Sequence, residues 1–182
     1  TASSLKKLKN VDVLIKAFSM VKNRNGYVLK IIGDGPERKR LEGIVDELNC
    51  RELIFFEGEK SRKEVLNNME ESEIFVMVSS PETFGLVYIE AMAKGCITIG
   101  SKGEGIDGVI INNENGFLCT PGSIDNLKLT LEYVISLNDN EKRRIINNAR
   151  MTAEALNYEE LSNKFLEIVM WIIKAIGGFM GK

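Results

Sequence analysis

Histidine is absent from this 182-residue sequence. Its absence excludes a Ser-His-Asp triad, a Cys-His pair and an HExxH zinc site within the chain. No Asp-x-Asp pair is present either, so we expect lysines and backbone amides, and no metal, to meet the charge of a phosphate ligand. Any catalysis would have to use carboxylates, lysines, backbone amides or the bound substrate, with no further cofactor.

Cysteines and long hydrophobic runs are also scarce. Cys50, Cys96 and Cys119 form no CxxC pair, and the last two lie in apolar runs, which is typical of reduced core residues in a cytosolic protein. The longest apolar stretch, 168–176, is broken by Lys174 and is too short to span a bilayer. No signal peptide is visible at the start of the sequence, so we expect a cytoplasmic location.

The composition is that of a soluble globular protein with one sizeable domain. Hydrophobic residues make up 44% of the chain and charged residues 27%. The formal net charge of −2 gives no overall attraction to nucleic acid, so we expect no nucleic-acid partner.

Strand-like and helix-like apolar patterns alternate along the chain. This alternation predicts an α/β fold, a Rossmann-like parallel sheet with helices on both faces, whose ligands bind at the carboxyl ends of the strands. Ser61, with Glu64 three residues later, forms a predicted capping box, and Ser123 and Asn140 are predicted N-caps. Strands are expected near 27–32, 52–56, 74–78, 96–100 and 116–119, and helices near 11–21, 36–49, 61–70, 83–95, 123–137 and 140–156.

The central motif of the chain is the stretch 81–95, which follows the apolar strand at 74–78. A helix is predicted to open near Thr83 and to end with this stretch. Its first amides would lack intrahelical partners and would suit an anion such as a phosphate. These are the amides of Phe84, Gly85 and Leu86.

Two carboxylates flank this anion site. If the segment is helical, Glu82 and Glu90 are about 12 Å apart, because each of the eight residue steps from Glu82 to Glu90 adds about 1.5 Å. A glycosidase needs its two carboxyls about 5 to 9.5 Å apart, so the pair is too widely spaced for hydrolysis. The spacing suits a ligand with hydroxyl groups at both ends and phosphates between them.

The motif Glu-x7-Glu, with Phe-Gly-Leu and Glu-Ala-Met-Ala-x-Gly inside it, resembles the signature of the retaining glycosyltransferases of the GT-B fold, known as group 1 or family 4. The resemblance runs from Leu5 to about Phe165. It implies that the chain is the C-terminal, nucleotide-sugar-binding half of such an enzyme. Glu90 would then bind ribose hydroxyls, and the amides after Glu82 would bind the diphosphate. Glu82, the candidate catalytic residue, would bind the hydroxyls of the donor sugar.

Three further loops supply candidates through the same resemblance. Lys9 matches the lysine of a diphosphate-binding loop, although Ser4 stands where the family has arginine and Asn10 where it has glycine. Gly33 begins a Gly-Asp-Gly-Pro-Glu turn that the family shares, and that either contacts the ligand or only joins a strand to a helix. The loop 57–60 would lie against the nucleotide base.

The stretch from Gly103 to Gly108 matches G-x-G-x-x-G literally. A dinucleotide site is not expected there, because that fingerprint opens a full helix in the first βαβ unit, whereas here a turn at 112–116 follows closely. In the family the matching loop closes over the donor near its sugar. Gly103 and Gly105 are therefore donor-binding candidates.

The resemblance predicts one donor-binding domain over 1–182, a fragment of a hexosyltransferase without its N-terminal acceptor-binding domain. The whole enzyme would move a hexose from a nucleoside diphosphate sugar to an acceptor in polysaccharide or glycolipid biosynthesis, and the isolated domain would be inactive. One alternative is a stand-alone nucleotide-sugar-binding subunit completed by a separate acceptor subunit. Others are a sugar-nucleotide epimerase or phosphorylase of the same architecture, and a structural domain without ligand.

Residues 158–182 are predicted to form a terminal helix and tail. Apolar residues recur there at helical spacing, and Trp171 widens the apolar face. Contiguous apolar surface usually marks an interface, so we expect the domain to self-associate through this segment and Trp171→Glu to restore a monomer. The alternative is a peripheral membrane contact with Lys174 and Lys182 at the headgroups.

Overall fold

The computed structural model describes residues 1–83 and 85–156. Strands and helices alternate through these residues, as predicted. The strands are β1 (Leu29–Ile32), β2 (Ile54–Gly58), β3 (Ile74–Val76), β4 (Ile97–Ser101) and β5 (Phe117–Cys119). The helices are α1 (Val11–Met20), α2 (Arg38–Glu47), α3 (Arg62–Glu70), α4 (Leu86–Lys94), α5 (Ile124–Ser136) and α6 (Asp139–Ala155).

All strand pairs are parallel. One sheet contains β1 and β2, and the other has the order β3–β4–β5. In the second sheet Ile99 lies between Val76 and Phe117 in register. The first residues of the chain extend the first sheet, because Ala2 forms a parallel bridge with Ile32.

Helices cover both faces of the sheets, as predicted. One hydrophobic core includes Leu14 of α1 and Leu131 of α5, and a second core includes Tyr88 of α4. Successive residues of β3 point to opposite faces, so Val76 belongs to the first core and Phe75 to the second. The structure is therefore a Rossmann-like α/β fold.

The three cysteines lie in the core. Cys50, Cys96 and Cys119 are buried and free, and burial raises the pKa of the Cys96 thiol to about 11. Burial also raises the pKa values of the Cys50 and Cys119 thiols, so all three are protonated at neutral pH and act as small apolar side chains. The core placement predicted for Cys96 and Cys119 is confirmed.

The helix of the central motif begins later than the sequence predicts. α4 starts at Leu86 and not near Thr83, because Gly85 takes a left-handed conformation (φ +68°) as the N-cap residue. The end of the helix is as predicted, since Gly95 forms the C-cap in a left-handed conformation.

Two of the three predicted N-caps are confirmed. The capping box of Ser61 and the Ser123 cap are both present. The third prediction was wrong: Asn138, not Asn140, caps α6, because the Asn138 side chain accepts hydrogen bonds from the amides of Asn140 and Glu141.

Within the described residues, no helix is both long enough and apolar enough to cross a membrane. The predictions for the tail 158–182, including those for Trp171, Lys174 and Lys182, and the donor-binding prediction for Phe84 lie outside the described residues.

Candidate functional site

Lys9 and Glu82 form an ion pair between two loops, although 73 positions separate them in sequence. Lys9 Nζ donates to Glu82 Oε2 over 2.6 Å, and Ser79 Oγ donates to the same oxygen over 2.8 Å. The Lys9 and Glu82 side chains are 17% and 12% exposed. The pair is therefore shielded from most of the solvent but is still accessible to a ligand.

Two hydrogen bonds fix the Lys9 loop against the loop that follows β3. Ser80 N donates to Leu8 O over 2.8 Å, and Asn10 Nδ2 donates to Val78 O over 2.9 Å. Asn10, which stands where the family has glycine, adopts a left-handed conformation (φ +50°). Asparagine tolerates this conformation better than most residues with a side chain, so the departure from the family pattern preserves the turn.

The carboxylate of Glu82 stays ionised at neutral pH. Burial raises its pKa, but hydrogen bonds from Lys9, Ser79 and the Thr83 amide outweigh burial and hold the pKa below its ordinary value. An ionised carboxylate accepts hydrogen bonds and donates none. Glu82 is therefore equipped to accept hydrogen bonds from ligand hydroxyls.

The glycine-rich loop 103–108 docks onto the same segment. The amide of Glu82 donates to Glu104 Oε2 over 2.6 Å, and Gly105 N donates back to Glu82 O over 3.0 Å. Gly103 is exposed at the start of this loop, and turns, not a helix, follow Gly108. The structure therefore brings Gly105 to Glu82, and the loop lacks the helix that a dinucleotide fingerprint requires.

The first turn of α4 begins four residues after Glu82 and offers backbone donors. Tyr88 N donates to Gly85 O over 2.9 Å, whereas the amides of Leu86 and Val87 have no acceptor among the described residues. Leu86 is exposed, so solvent or a ligand reaches this turn. These amides lie at the positive end of the helix dipole, where an anion is favoured. The anion-binding candidates are thus Leu86 and Val87, with Gly85 as the cap.

A cavity of about 380 Å³ lies beside α4. Val87 and Glu90 line it from α4, Gly33 lines it from the loop after β1, and Glu59 and Lys60 line it from the loop after β2. The cavity therefore brings together the base-side loop and Glu90, which the family resemblance assigns to the nucleotide, and Gly33, which is a candidate for ligand contact.

Glu90 has one carboxylate oxygen in use and one available. Arg62 Nε and Nη2 lie 3.0 and 2.7 Å from Glu90 Oε1, whereas Oε2 makes no hydrogen bond with any described residue. The Glu90 side chain is 25% exposed. Its free oxygen can accept hydrogen bonds from a ligand in the cavity while Arg62 orients the group.

Gly33 is required by packing, independently of any ligand. A Cβ atom at this position would lie 1.9 Å from the carbonyl oxygen of Ser3, which no real Cβ tolerates. The tight-turn interpretation of Gly33 is therefore sufficient to explain its identity. Its position on the cavity wall still keeps it among the candidates for ligand contact.

Three polar residues of the site were not identified from the sequence. Ser79, Arg62 and Glu104 owe their roles to partners 3, 28 and 22 to 24 positions away, respectively. The available signals were weak: a serine directly after a buried strand, an arginine at a helix start and an acid inside a glycine-rich loop. In the part of the chain that the structure describes, no three cysteine or acidic side chains are grouped so that they could hold a metal ion.

The chain is similar to several glycosyltransferases. It is 32% identical to N-acetyl-alpha-D-glucosaminyl L-malate synthase of Bacillus anthracis over 142 residues. This match covers 78% of this chain and 36% of that protein. A glycosyltransferase structure from Rickettsia africae is 26% identical with a TM-score of 0.86, over 95% of this chain and 47% of that one. The structure of Anabaena HepE in complex with UDP and glucose is 23% identical with a TM-score of 0.84, over 93% of this chain and 47% of that one, and shows the fold alone.

The chain thus spans between about a third and a half of the length of these proteins. The family model for glycosyl transferases group 1 matches residues 1–152. These residues include every candidate of the site described above. The chain belongs to the glycosyl transferases group 1 family and has the fold of one Rossmann-like half of the GT-B architecture.

Proposed function

We propose that this chain is the donor-binding half of a retaining hexosyltransferase. The whole enzyme would move a hexose from a nucleoside diphosphate sugar to an acceptor hydroxyl in polysaccharide or glycolipid biosynthesis, and an N-terminal acceptor-binding domain would complete the cleft. The observation that carries this proposal is the shielded Lys9–Glu82 pair beside the first amides of α4. The UDP and glucose in the HepE structure, which has the same fold, support the proposed ligand class.

Each part of the donor has a matching group in the site. The free oxygen of Glu90 would accept hydrogen bonds from the ribose, because Glu90 lines the cavity next to the base-side loop. The amides of Leu86 and Val87 would bind the diphosphate. Lys9 would join them, since its ammonium has three N–H donors and the structure shows one of them engaged with Glu82.

Glu82 would bind the hydroxyls of the transferred sugar and would be the catalytic residue of this half. Its ionised carboxylate cannot act as a proton donor, so we assign it to positioning the sugar and stabilising positive charge near the reacting carbon. Lys9 and the α4 amides would stabilise the diphosphate as it departs, without a metal. Gly103 and Gly105 would close the loop over the sugar.

Titration calorimetry with UDP, ADP and GDP, each in the presence of EDTA, tests this function. We expect one of them to bind with a dissociation constant of about 0.1 to 1 mM, or roughly −4 to −5.5 kcal/mol, because only half a cleft is present. Glu82→Ala should leave binding of the free nucleotide unchanged and weaken binding of the nucleotide sugar. Failure of every nucleotide to bind at millimolar concentration, or binding only after Mg²⁺ or Mn²⁺ is added, would contradict the proposal.

A further inference from the structure

Glu104 joins the glycine-rich loop to the segment that carries Glu82. Its Oε1 atom accepts a hydrogen bond from Ser80 Oγ over 2.6 Å, and its Oε2 atom accepts one from the amide of Glu82 over 2.6 Å. Gly105 N donates to the carbonyl oxygen of Glu82 over 3.0 Å. Residues 104 and 105 therefore hold the backbone of Glu82 by both its N–H and its C=O group.

The Glu82 side chain is also held in place, by contacts separate from those of Glu104 and Gly105. The Glu82 carboxylate accepts hydrogen bonds from Lys9 and Ser79. Glu82 has little freedom to turn, because the glycine-rich loop holds its backbone while Lys9 and Ser79, a residue of its own loop, hold its carboxylate. Short hydrogen bonds to a charged acceptor are the stronger kind, so the contribution of Glu104 to this order is substantial.

A carboxylate matches the two donors at this position. It only accepts hydrogen bonds, and it faces two donors, a hydroxyl and an amide. Glutamine can preserve both contacts, because its carbonyl oxygen can accept from the Glu82 amide while its NH₂ group donates to the Ser80 hydroxyl oxygen. Alanine can make neither contact.

We propose that Glu104 is a positioning residue for the donor sugar: it holds the Ser80 hydroxyl and the Glu82 amide so that the Glu82 carboxylate meets the sugar hydroxyls. This inference rests on the proposed function, because it assumes that Glu82 binds the sugar. It assigns no role to Glu104 in binding the nucleotide. The competing explanation is that Glu104 only stabilises the loop.

The test compares UDP with UDP-glucose and UDP-N-acetylglucosamine by calorimetry on the full 182-residue chain. The measured quantity is the sugar gain, the ratio of the dissociation constant for UDP to that for the sugar-bearing form. We expect Glu104→Ala to reduce this gain about five- to tenfold while the constant for UDP changes by less than about twofold. Glu104→Gln should restore the gain to within about twofold of the wild-type value.

Asp107→Ala is the matched control within the same loop. Asp107 anchors the loop through the amide of Gly103, over 2.6 Å, and has no hydrogen bond to residues 80–82. Loss of this acid should leave the sugar gain within about twofold of the wild-type value. If the control reduces the gain as much as Glu104→Ala does, the effect is general loosening of the loop and the inference is wrong.

The remaining outcomes separate the two proposals. If the wild-type chain binds UDP but the sugar adds nothing, or if Glu104→Ala weakens UDP and UDP-sugar equally, the positioning role is refuted while nucleotide binding stands. If the wild type binds none of the three ligands and also fails to bind ADP and GDP, the proposed function fails and the inference fails with it. Should circular dichroism show Glu104→Ala to be unfolded, Ser80→Ala decides: a reduced gain supports the role, and an unchanged gain refutes it.

Discussion

Replacing Gly85 with alanine should destabilise the fold more than a comparable replacement elsewhere. Gly85 has a φ of +68°, and a Cβ atom there would lie 2.6 and 2.7 Å from two ring carbons of Tyr88. The Tyr88 ring cannot move away easily, because the residue is fully buried and its hydroxyl donates to Met77 O over 2.7 Å. The substitution therefore combines a strained backbone with an overpacked core.

Gly122 provides the matched control. Its φ is +74°, but nothing lies within 4 Å of a Cβ atom built there, so Gly122→Ala has the backbone strain without the clash. A left-handed conformation costs an alanine about 1–2 kcal/mol in either place. Overpacking against Tyr88 adds about 1–3 kcal/mol at position 85 alone, giving a total of roughly 2–5 kcal/mol.

Thermal and urea unfolding measure the difference between the two variants. For a domain of this size, the extra cost at position 85 should lower Tm by about 2–12 °C relative to Gly122→Ala. The clash predicts coupling, so Gly85→Ala should cost less when Tyr88 is already leucine. Equal destabilisation of Gly85→Ala and Gly122→Ala, or additive effects of the substitutions at 85 and 88, would refute this explanation of the cap.

The polar residues of the candidate site give three further predictions. Glu90→Ala should weaken UDP binding by about 1–3 kcal/mol. Arg62→Ala should weaken it by less than about 1 kcal/mol, because the Arg62 side chain is 79% exposed. Equal losses of binding free energy in calorimetry would contradict the assignment of Glu90. Lys9→Met should raise the pKa of the Glu82 carboxyl, because burial raises this pKa and one of the hydrogen bonds that lower it is lost. Carbon NMR of the Glu82 carboxyl measures the change, and an unchanged pKa would show that the ion pair is absent in solution. Since the pKa of Glu82 is lowered in the folded chain from a reference of 4.5, its contribution to the unfolding free energy should be complete above that value. This contribution should be lost as the pH falls through the lowered pKa, and unfolding curves in which wild type and Lys9→Met respond identically to acid would argue against it.

Local signals predicted most of the fold. The parallel α/β architecture follows from alternating apolar patterns, and the Ser61 capping box and the Gly95 helix stop are where the sequence indicates. These features depend on residues at most a few positions apart. Asn138 was missed as the α6 cap because Asn140 is two residues away and has the same side-chain chemistry.

Long-range contacts explain what the sequence could not predict. α4 begins only after the left-handed Gly85, where the Tyr88 ring fills the neighbouring space and leaves room for no side chain. The family resemblance proposed Lys9 and Glu82 separately, but their direct ion pair joins loops 73 positions apart. The contacts of Glu104 likewise appear only when two loops meet. The roles proposed for these residues in donor binding stay predictions.

The most direct test of the donor-binding proposal is a nitrogen–proton NMR titration of the chain with UDP in EDTA. The amides of Leu86 and Val87 should shift most, together with those of Gly33 and Glu90 around the cavity, and the shifts should saturate with one dissociation constant. Resonances of the surface around Lys22 and Ser136, which lines a different cavity, should stay in place. Saturable shifts confined to that second surface, or no shifts at millimolar UDP, ADP or GDP, would contradict the proposal that this half of the GT-B fold binds the donor.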